Sequence, residues 1–290
     1  MPKRRIEILA FPKAQLLDVT GPAQVFASAN DEAGPHYEIA IVAAEAEVIT
    51  SSHIALKAEP LPATDTPLDT LIVAGGFGIN QATARKELVD WVRRRSVAAR
   101  RTASVCSGAF LLAEAGLLEG RRAVTHWHRC AEFAARYPGV KLEPDPIFVQ
   151  DGPFWTSAGI TAGIDLALAL VEADLGHAAA LAVARELVVY LKRPGGQAQF
   201  SAALSLQQPD GKLDRLHGWI LENLHRDLPL SALAAEAGMS ERSFSRHYTR
   251  LTGRSPGRAV EILRIEAARR QIEEGHPLEQ VRRRCGFGSD

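Results

Sequence analysis

The sequence predicts an α/β domain on a mostly parallel sheet, followed by an all-α domain with two helix-turn-helix units. Three observations predict it. Short apolar or β-branched runs alternate with helix-like stretches from about residue 4 to about 190, and such alternation implies a parallel sheet covered by helices on both faces. Gly, Pro and Gln then cluster in RPGGQAQFS and QQPDGK, the composition of a connection between domains. After Lys212 no strand-like run remains, and one helical pattern recurs, from Pro229 to Pro277, at an offset of 48 residues.

The elements follow in order. IEILAF (6–11) is an apolar run closed by Pro12, a buried strand, and Asp18 to Asn30 is Ala-rich and helical. YEIAIVAA (37–44) is a strand, and DTLIVAGGFG (69–78) is a strand running into glycines. Gln81 to Arg95 has helical periodicity. Thr102 to Val105 is a short strand that meets Cys106, and Gly108 to Ala115 is the helix after it. HWHRCAEFAARY (126–137) is read as one helix with Thr125 as its cap and Trp127 as packing, and 163–176 as a long apolar helix. The expected domains are 1–192 and 212–290, joined by a linker at 193–211.

Composition narrows the function classes. With 46% hydrophobic and 23% charged residues the chain is globular rather than disordered. Its formal net charge of +0 gives no global attraction to nucleic acid, so any such surface must be local. Cys106, Cys130 and Cys285 are an odd number without a Cys-x-x-Cys pair, which argues against structural disulfides and fits a reducing cytoplasm. The first apolar run is too short for a signal peptide or membrane span, so no membrane partner is expected. His126, His128 and Cys130 have metal-like spacing, with His126 and Cys130 on one face of the expected helix. They lack a second ligand-bearing segment, so neither metal nor cofactor is expected.

The repeat carries the clearest motif. PLSALAAEAGMSE (229–241) and PLEQVRRRCGFGSD (277–290) match at Pro, Leu, an apolar position, a small residue and Gly. That is a helix, a tight turn at Gly and a second helix, the first copy capped by Ser240. After Gly238, Phe244, Tyr248 and Leu251 form one apolar stripe. Arg242, Ser243, Ser245, Arg246, Thr249 and Arg250 lie away from it, with Arg254 beyond. Arg reads guanine edges and hydroxyls reach bases or phosphates, so this face suits a major groove. Arg250, Arg254 and Arg258 are candidates for phosphate contacts, and Arg282 to Arg284 for either DNA or solvent. From Lys212 onward 14 Lys/Arg face 11 Asp/Glu, a net of +3; placement therefore matters more than the sum.

On these motifs the region from Lys212 resembles the AraC/XylS-type DNA-binding domain, in which two helix-turn-helix units are joined by a long helix, here 251–275. The resemblance makes Glu241 to Arg250 the first reading helix. The second would begin at Ser289 or Asp290, so that unit is expected to be incomplete, with weak or altered specificity. QLLDVTGPAQVF (15–26), VAGGFG (73–78) and SVCSGAFLLAEAGLLEGRRAVTHW (104–127) make the first block resemble the DJ-1/PfpI superfamily, a three-layer sandwich close to class I glutamine amidotransferases. The combination resembles the GlxA-like branch of AraC/XylS regulators.

The resemblance implies an acidic residue, Asp18, beside the elbow cysteine. Ser107 stands where a peptidase-like branch has His, and Asp18, Cys106 and Ser107 imitate an isonitrile-hydratase-like set. His126 resembles the histidine of the DJ-1-like branch. Backbone donors near Gly76 and Gly108 would serve an anion or carbonyl. Catalytic candidates are thus Cys106, Asp18 and His126, and effector-pocket candidates are Asp18, Gly76, Cys106, Ser107 and His126. Cys106 is left open between a pocket or vestigial residue, a redox sensor, a nucleophile and simple packing. The leading expectation is a dimeric transcriptional regulator with a small, nitrogenous or amino-acid-like effector, DNA as partner, and RNA polymerase as a further partner if it activates. The alternative is a Cys106-dependent hydratase or amidase-like enzyme.

Overall fold

In a computed structural model of the chain, described over residues 3–191, 196–197, 213–273 and 275–288, two compact units divide it at Arg193 and Pro194. The expected linker at 193–211 lies outside the described residues except for 196 and 197, as do Ser289 and Asp290.

The first unit opens with β1 (Arg4–Leu9), α1 (Leu16–Ala33) and β2 (Tyr37–Ala43). A small antiparallel pair, β3 (Glu47–Ile49) and β4 (Ala55–Lys57), precedes β5 (Glu59–Pro60) and β6 (Leu68–Val73). Then come α2 (Ile79–Ala84), α3 (Lys86–Ala98), β7 (Ala99–Ser104) and, after one 3₁₀ turn, α4 (Ala109–Glu114). The rest is β8 (Arg122–Ala123), α5 (Cys130–Arg136), β9 (Lys141–Leu142), β10 (Phe148–Asp151), β11 (Phe154–Ser157), α6 (Ala162–Leu175) and α7 (His177–Glu186).

The main sheet has seven strands in the order β10-β11-β7-β6-β1-β2-β5. Every pairing in it is parallel except β10 with β11. Central β1 and β6 end in buried runs because helices cover both faces, which is why they read as unbroken apolar stretches. Glu7 is the exception in β1: fully buried, it is held by equally buried Arg95 of α3 through Nε–Oε2 at 2.8 Å and Nη2–Oε1 at 2.7 Å.

Two expectations change here, and one hairpin had none. The helix expected over 81–95 is two helices, because Arg85 takes an extended conformation between them. The helix expected over 126–137 begins only at Cys130, preceded by a 3₁₀ turn at Trp127–Arg129. The hairpin of β10 and β11 had no reading in the sequence: β10 is a four-residue edge strand, and neither strand shows a clean alternation of buried and exposed residues.

The second unit is helical throughout its described residues: α8 (Asp214–Glu222), α9 (Leu230–Glu236), α10 (Glu241–Thr252), α11 (Pro256–Glu273) and α12 (Leu278–Arg284). The internal repeat is visible in the backbone. Helices α9 and α12 are each seven residues long, each N-capped by a proline, and each followed by a left-handed glycine, Gly238 at φ 65° and Gly286 at φ 70°. The closing bonds also match: Met239 N–H to Ala234 O at 2.9 Å and Phe287 N–H to Arg282 O at 3.0 Å. This is the Schellman closure, which needs a residue free to adopt positive φ. Gly286 has a second reason to be glycine, since a Cβ there would collide with the carbonyl oxygen of Leu224.

Candidate functional site

Two places carry chemistry. The first is the turn after β7. Strand β7 runs through Val105 into Cys106, where φ is 57°. A non-glycine residue there costs about 1–3 kcal/mol and persists only when its surroundings hold it. They do: Cys106 O accepts the Thr125 hydroxyl at 2.9 Å, Ser107 Oγ accepts Gly76 N–H at 2.9 Å, and Gly108 N–H reaches Val105 O at 2.9 Å. Gly108 is packed so closely on the end of β6 that a Cβ would stand 2.9 Å from Ala74 O. Thr125 is therefore a brace for the elbow, not the helix cap expected of it. The backbone N–H groups of Gly76 and Gly108, expected to face a ligand, are already committed to protein acceptors.

Asp18, from the first turn of α1, lies beneath the elbow with no exposure. Its Oδ2 accepts Gly75 N–H at 3.0 Å, and its other polar neighbour is the Cys106 thiol. Burial raises its pKa to about 7, against the two hydrogen bonds that favour the carboxylate. Burial, and then the charge of Asp18, push the Cys106 thiol up to about 12. The N–H groups of Ile160 and Ser107 and the Ser107 hydroxyl oppose this. The elbow thus has the backbone of a nucleophile mount but keeps its sulfur protonated at neutral pH, unlike cysteines activated at helix N-termini. Asp18→Asn removes the repelling charge and is expected to speed alkylation of Cys106 at pH 8, read by mass spectrometry against Cys130 and Cys285 in the same sample. An unchanged Cys106 rate would contradict this electrostatic account.

Above the elbow is a cavity of about 250 Å³. Gly76, Cys106, Ser107 and His126 line it, with Phe77 and Trp127 among its walls. Four of the five expected pocket residues therefore meet; Asp18 lies under the floor and reaches the cavity only through Cys106. His126 is half-buried and outside α5. Its Nδ1 accepts His128 N–H at 3.3 Å, and burial, then His128 and Arg129, hold its pKa below the ordinary value. It cannot share a helical face with Cys130, because the helix starts after it. Trp127 was read as packing but is 47% exposed. Phe77, 82% exposed, was missed, as was Ile160 with φ 41°. Among the described residues no group of three His, Cys, Asp or Glu side chains is placed to hold a metal.

The second place is α10. Ser240 caps it by accepting Ser243 N–H at 3.4 Å, and Gly253 ends it at φ 69°. Phe244 and Tyr248 are buried, and the Tyr248 hydroxyl meets buried His217 Nε2 at 2.8 Å, fixing the helix on α8. Its outer face lines an open groove with Arg242, Ser245, Arg246, Thr249 and Arg250. Ser243 is exposed, but it belongs to the cap and its hydroxyl accepts from Ser240 at 3.0 Å. Arg254 lies past Gly253, off this groove. Arg258 is paired with Glu261 at 2.6 Å, and Arg282 and Arg283 with Glu279 at 2.8 and 3.1 Å. No described helix is long and apolar enough to cross a membrane.

Comparison with known proteins matches residues 4–173 to the DJ-1/PfpI family and residues 233–290 to a helix-turn-helix domain. The chain is 38% identical to isonitrile hydratase of Pseudomonas putida over 59% of its own length and 72% of the hydratase. It is 32% identical to the HTH-type transcriptional regulator Rv1931c of Mycobacterium tuberculosis, over 77% of this chain and 87% of that one. It is 27% identical to the HTH-type transcriptional regulator GlxA of Rhizobium meliloti, over 99% and 89% respectively. A THiJ/PfpI family protein from Pseudomonas syringae superposes with a TM-score of 0.59 at 27% identity, covering 67% of this chain and 78% of that one. Among the near relatives, HTH-type transcriptional regulators outnumber enzymes, which favours a non-catalytic role.

Proposed function

We propose, from the premise that this chain belongs to the DJ-1/PfpI family and joins that domain to a helix-turn-helix domain, that it is a sequence-specific DNA-binding regulator controlled by a small effector. A transcriptional-regulator role through the helix-turn-helix domain is supported by its regulator relatives. The observation that carries the DNA reading is the outer face of α10, where Arg242, Arg246 and Arg250 stand with Ser245 and Thr249 over one groove. Arg254 is assigned to phosphate. The elbow cavity takes the effector, a small and nitrogenous compound. The first domain mediates dimerisation, and an activating form would also contact RNA polymerase.

The test is selection of bound DNA sites with the full chain, followed by mobility shifts across a salt series. Arg246→Ala is expected to lower affinity by about 1–3 kcal/mol and to relax preference at one base position. Arg254→Ala is expected to weaken all sequences alike and to reduce the salt slope by about 1. A full chain that shifts no selected fragment at low salt would sink this reading.

A second reading, a Cys106-dependent hydratase, is favoured by one observation: Asp18, Cys106 and Ser107 adjoin as the resemblance to that enzyme implies. The protonated thiol weighs against it. Isonitrile turnover that disappears in a folded Cys106→Ala variant would establish it.

A further inference from the structure

The elbow cavity can be read for the charge of what it holds; this rests on its assignment as the effector site. Two carboxylates and one guanidinium stand near it. Asp18 is sealed below Cys106. Glu132 gives both oxygens to Arg129, at 2.6 and 2.9 Å. Arg129 lines the cavity, but Nε and Nη2 go to Glu132, Nη2 also reaches Asn80 Oδ1 at 3.2 Å, and the guanidinium lies over the Phe110 ring at 4.6 Å. Its charge is therefore neutralised and its plane already stacked. His126 spends Nδ1 on a backbone N–H, and His128 is exposed at the rim, where water solvates it.

What remains is apolar wall, the uncharged amide of Gln15, whose Oε1 accepts the Ser51 hydroxyl at 2.9 Å, and a few backbone donors. Phe77, Trp127 and Ile160 supply the wall, and the N–H groups of Ile160 and Ser107 face the sulfur. A carboxylate or ammonium entering here would lose hydration and, among the described residues, find no buried unpaired countercharge. A cavity of about 150 Å³ lined by aliphatic and aromatic groups holds a benzene ring, so about 250 Å³ accommodates a ring with one substituent.

We infer that the elbow cavity admits an uncharged, ring-bearing small molecule with a single hydrogen-bond acceptor, and excludes zwitterionic amino acids. A nitrogenous effector would enter as an amide, nitrile or neutral heteroaromatic ring. Trp127 and Phe77 contact the ring, and the acceptor shares the Ile160 and Ser107 N–H groups with the Cys106 sulfur.

The experiment uses the full chain and three matched probes, benzamide, benzoate and benzylamine, titrated calorimetrically at pH 7.5. Benzamide is expected to bind at least tenfold more tightly than either charged probe. Phe77→Ser, a change at a largely exposed position, and Trp127→Ala should each weaken benzamide several-fold. If benzoate or benzylamine binds as tightly and is weakened by the same substitutions, the uncharged class is overturned while the cavity stands as a binding site. If no probe binds, or binding ignores both substitutions, the cavity assignment falls and the inference falls with it.

Discussion

Replacing Asp18 by Asn is expected to flatten the pH dependence of the first domain's stability between pH 4 and pH 8. In the folded domain burial raises the Asp18 carboxyl from 3.8 to about 7. The folded state therefore keeps its proton where the unfolded chain has lost it. A raised carboxyl contributes no penalty below the unfolded value, destabilises progressively as pH rises through the interval, and reaches a constant cost above the folded value. At about 1.36 kcal/mol per pH unit the loss across that interval is on the order of 4 kcal/mol. The Asn variant keeps an acceptor for Gly75 N–H and has nothing to ionise. Urea unfolding at pH 4.5 and pH 8 should show the variant gaining several kcal/mol over the parent at the higher pH only. A Trp219→Phe background confines tryptophan emission to the first domain, which holds Trp91, Trp127 and Trp155. Parallel pH profiles for parent and variant would refute the buried-carboxyl account.

Glu7→Ala is expected to cost about 3–5 kcal/mol in the same assay, because it leaves Arg95 charged and enclosed. The expected loss is large because Arg95 cannot turn outward. Its Nη1 also donates to Thr66 O at 2.5 Å and Ala63 O at 3.2 Å, tying the loop before β6 to α3. Glu7→Gln should cost less, since the amide oxygen still accepts one bond. A Glu7→Leu, Arg95→Met double variant should recover only part of the loss, because the two loop carbonyls then go unpaired. A fully neutral Glu7→Ala would mean the pair is not enclosed in solution.

Local signals account for what was legible in the sequence. The parallel sheet announced itself because β1 and β6 end in stretches buried on both faces and so are spelled in short apolar runs. The repeat was legible because a Schellman turn favours glycine at its left-handed position, so Gly238 and Gly286, each after a small residue, mark two helix ends in register. The apolar stripe of Phe244 and Tyr248 left the Arg-bearing face of α10 as its remainder.

The functional state of the elbow was not legible, because it depends on residues far apart in the chain. Nothing near Cys106 in sequence says that Asp18 is sealed beneath it, or that Gly76 N–H is taken by Ser107 Oγ. His126 and Cys130 looked like helical neighbours until the chain was seen to enter the helix only at Cys130. Phe77 carried no signal as part of VAGGFG, yet it stands exposed among the walls of the cavity. The sequence by itself determined the two fold classes, the amphipathic helix after the Gly238 turn and the position of the elbow, all set by spacing along a few turns of chain. The tertiary structure alone decided which polar groups are already paired and which charges are enclosed. Those depend on burial and on partners that only folding brings together, and they push the Cys106 thiol up instead of activating it.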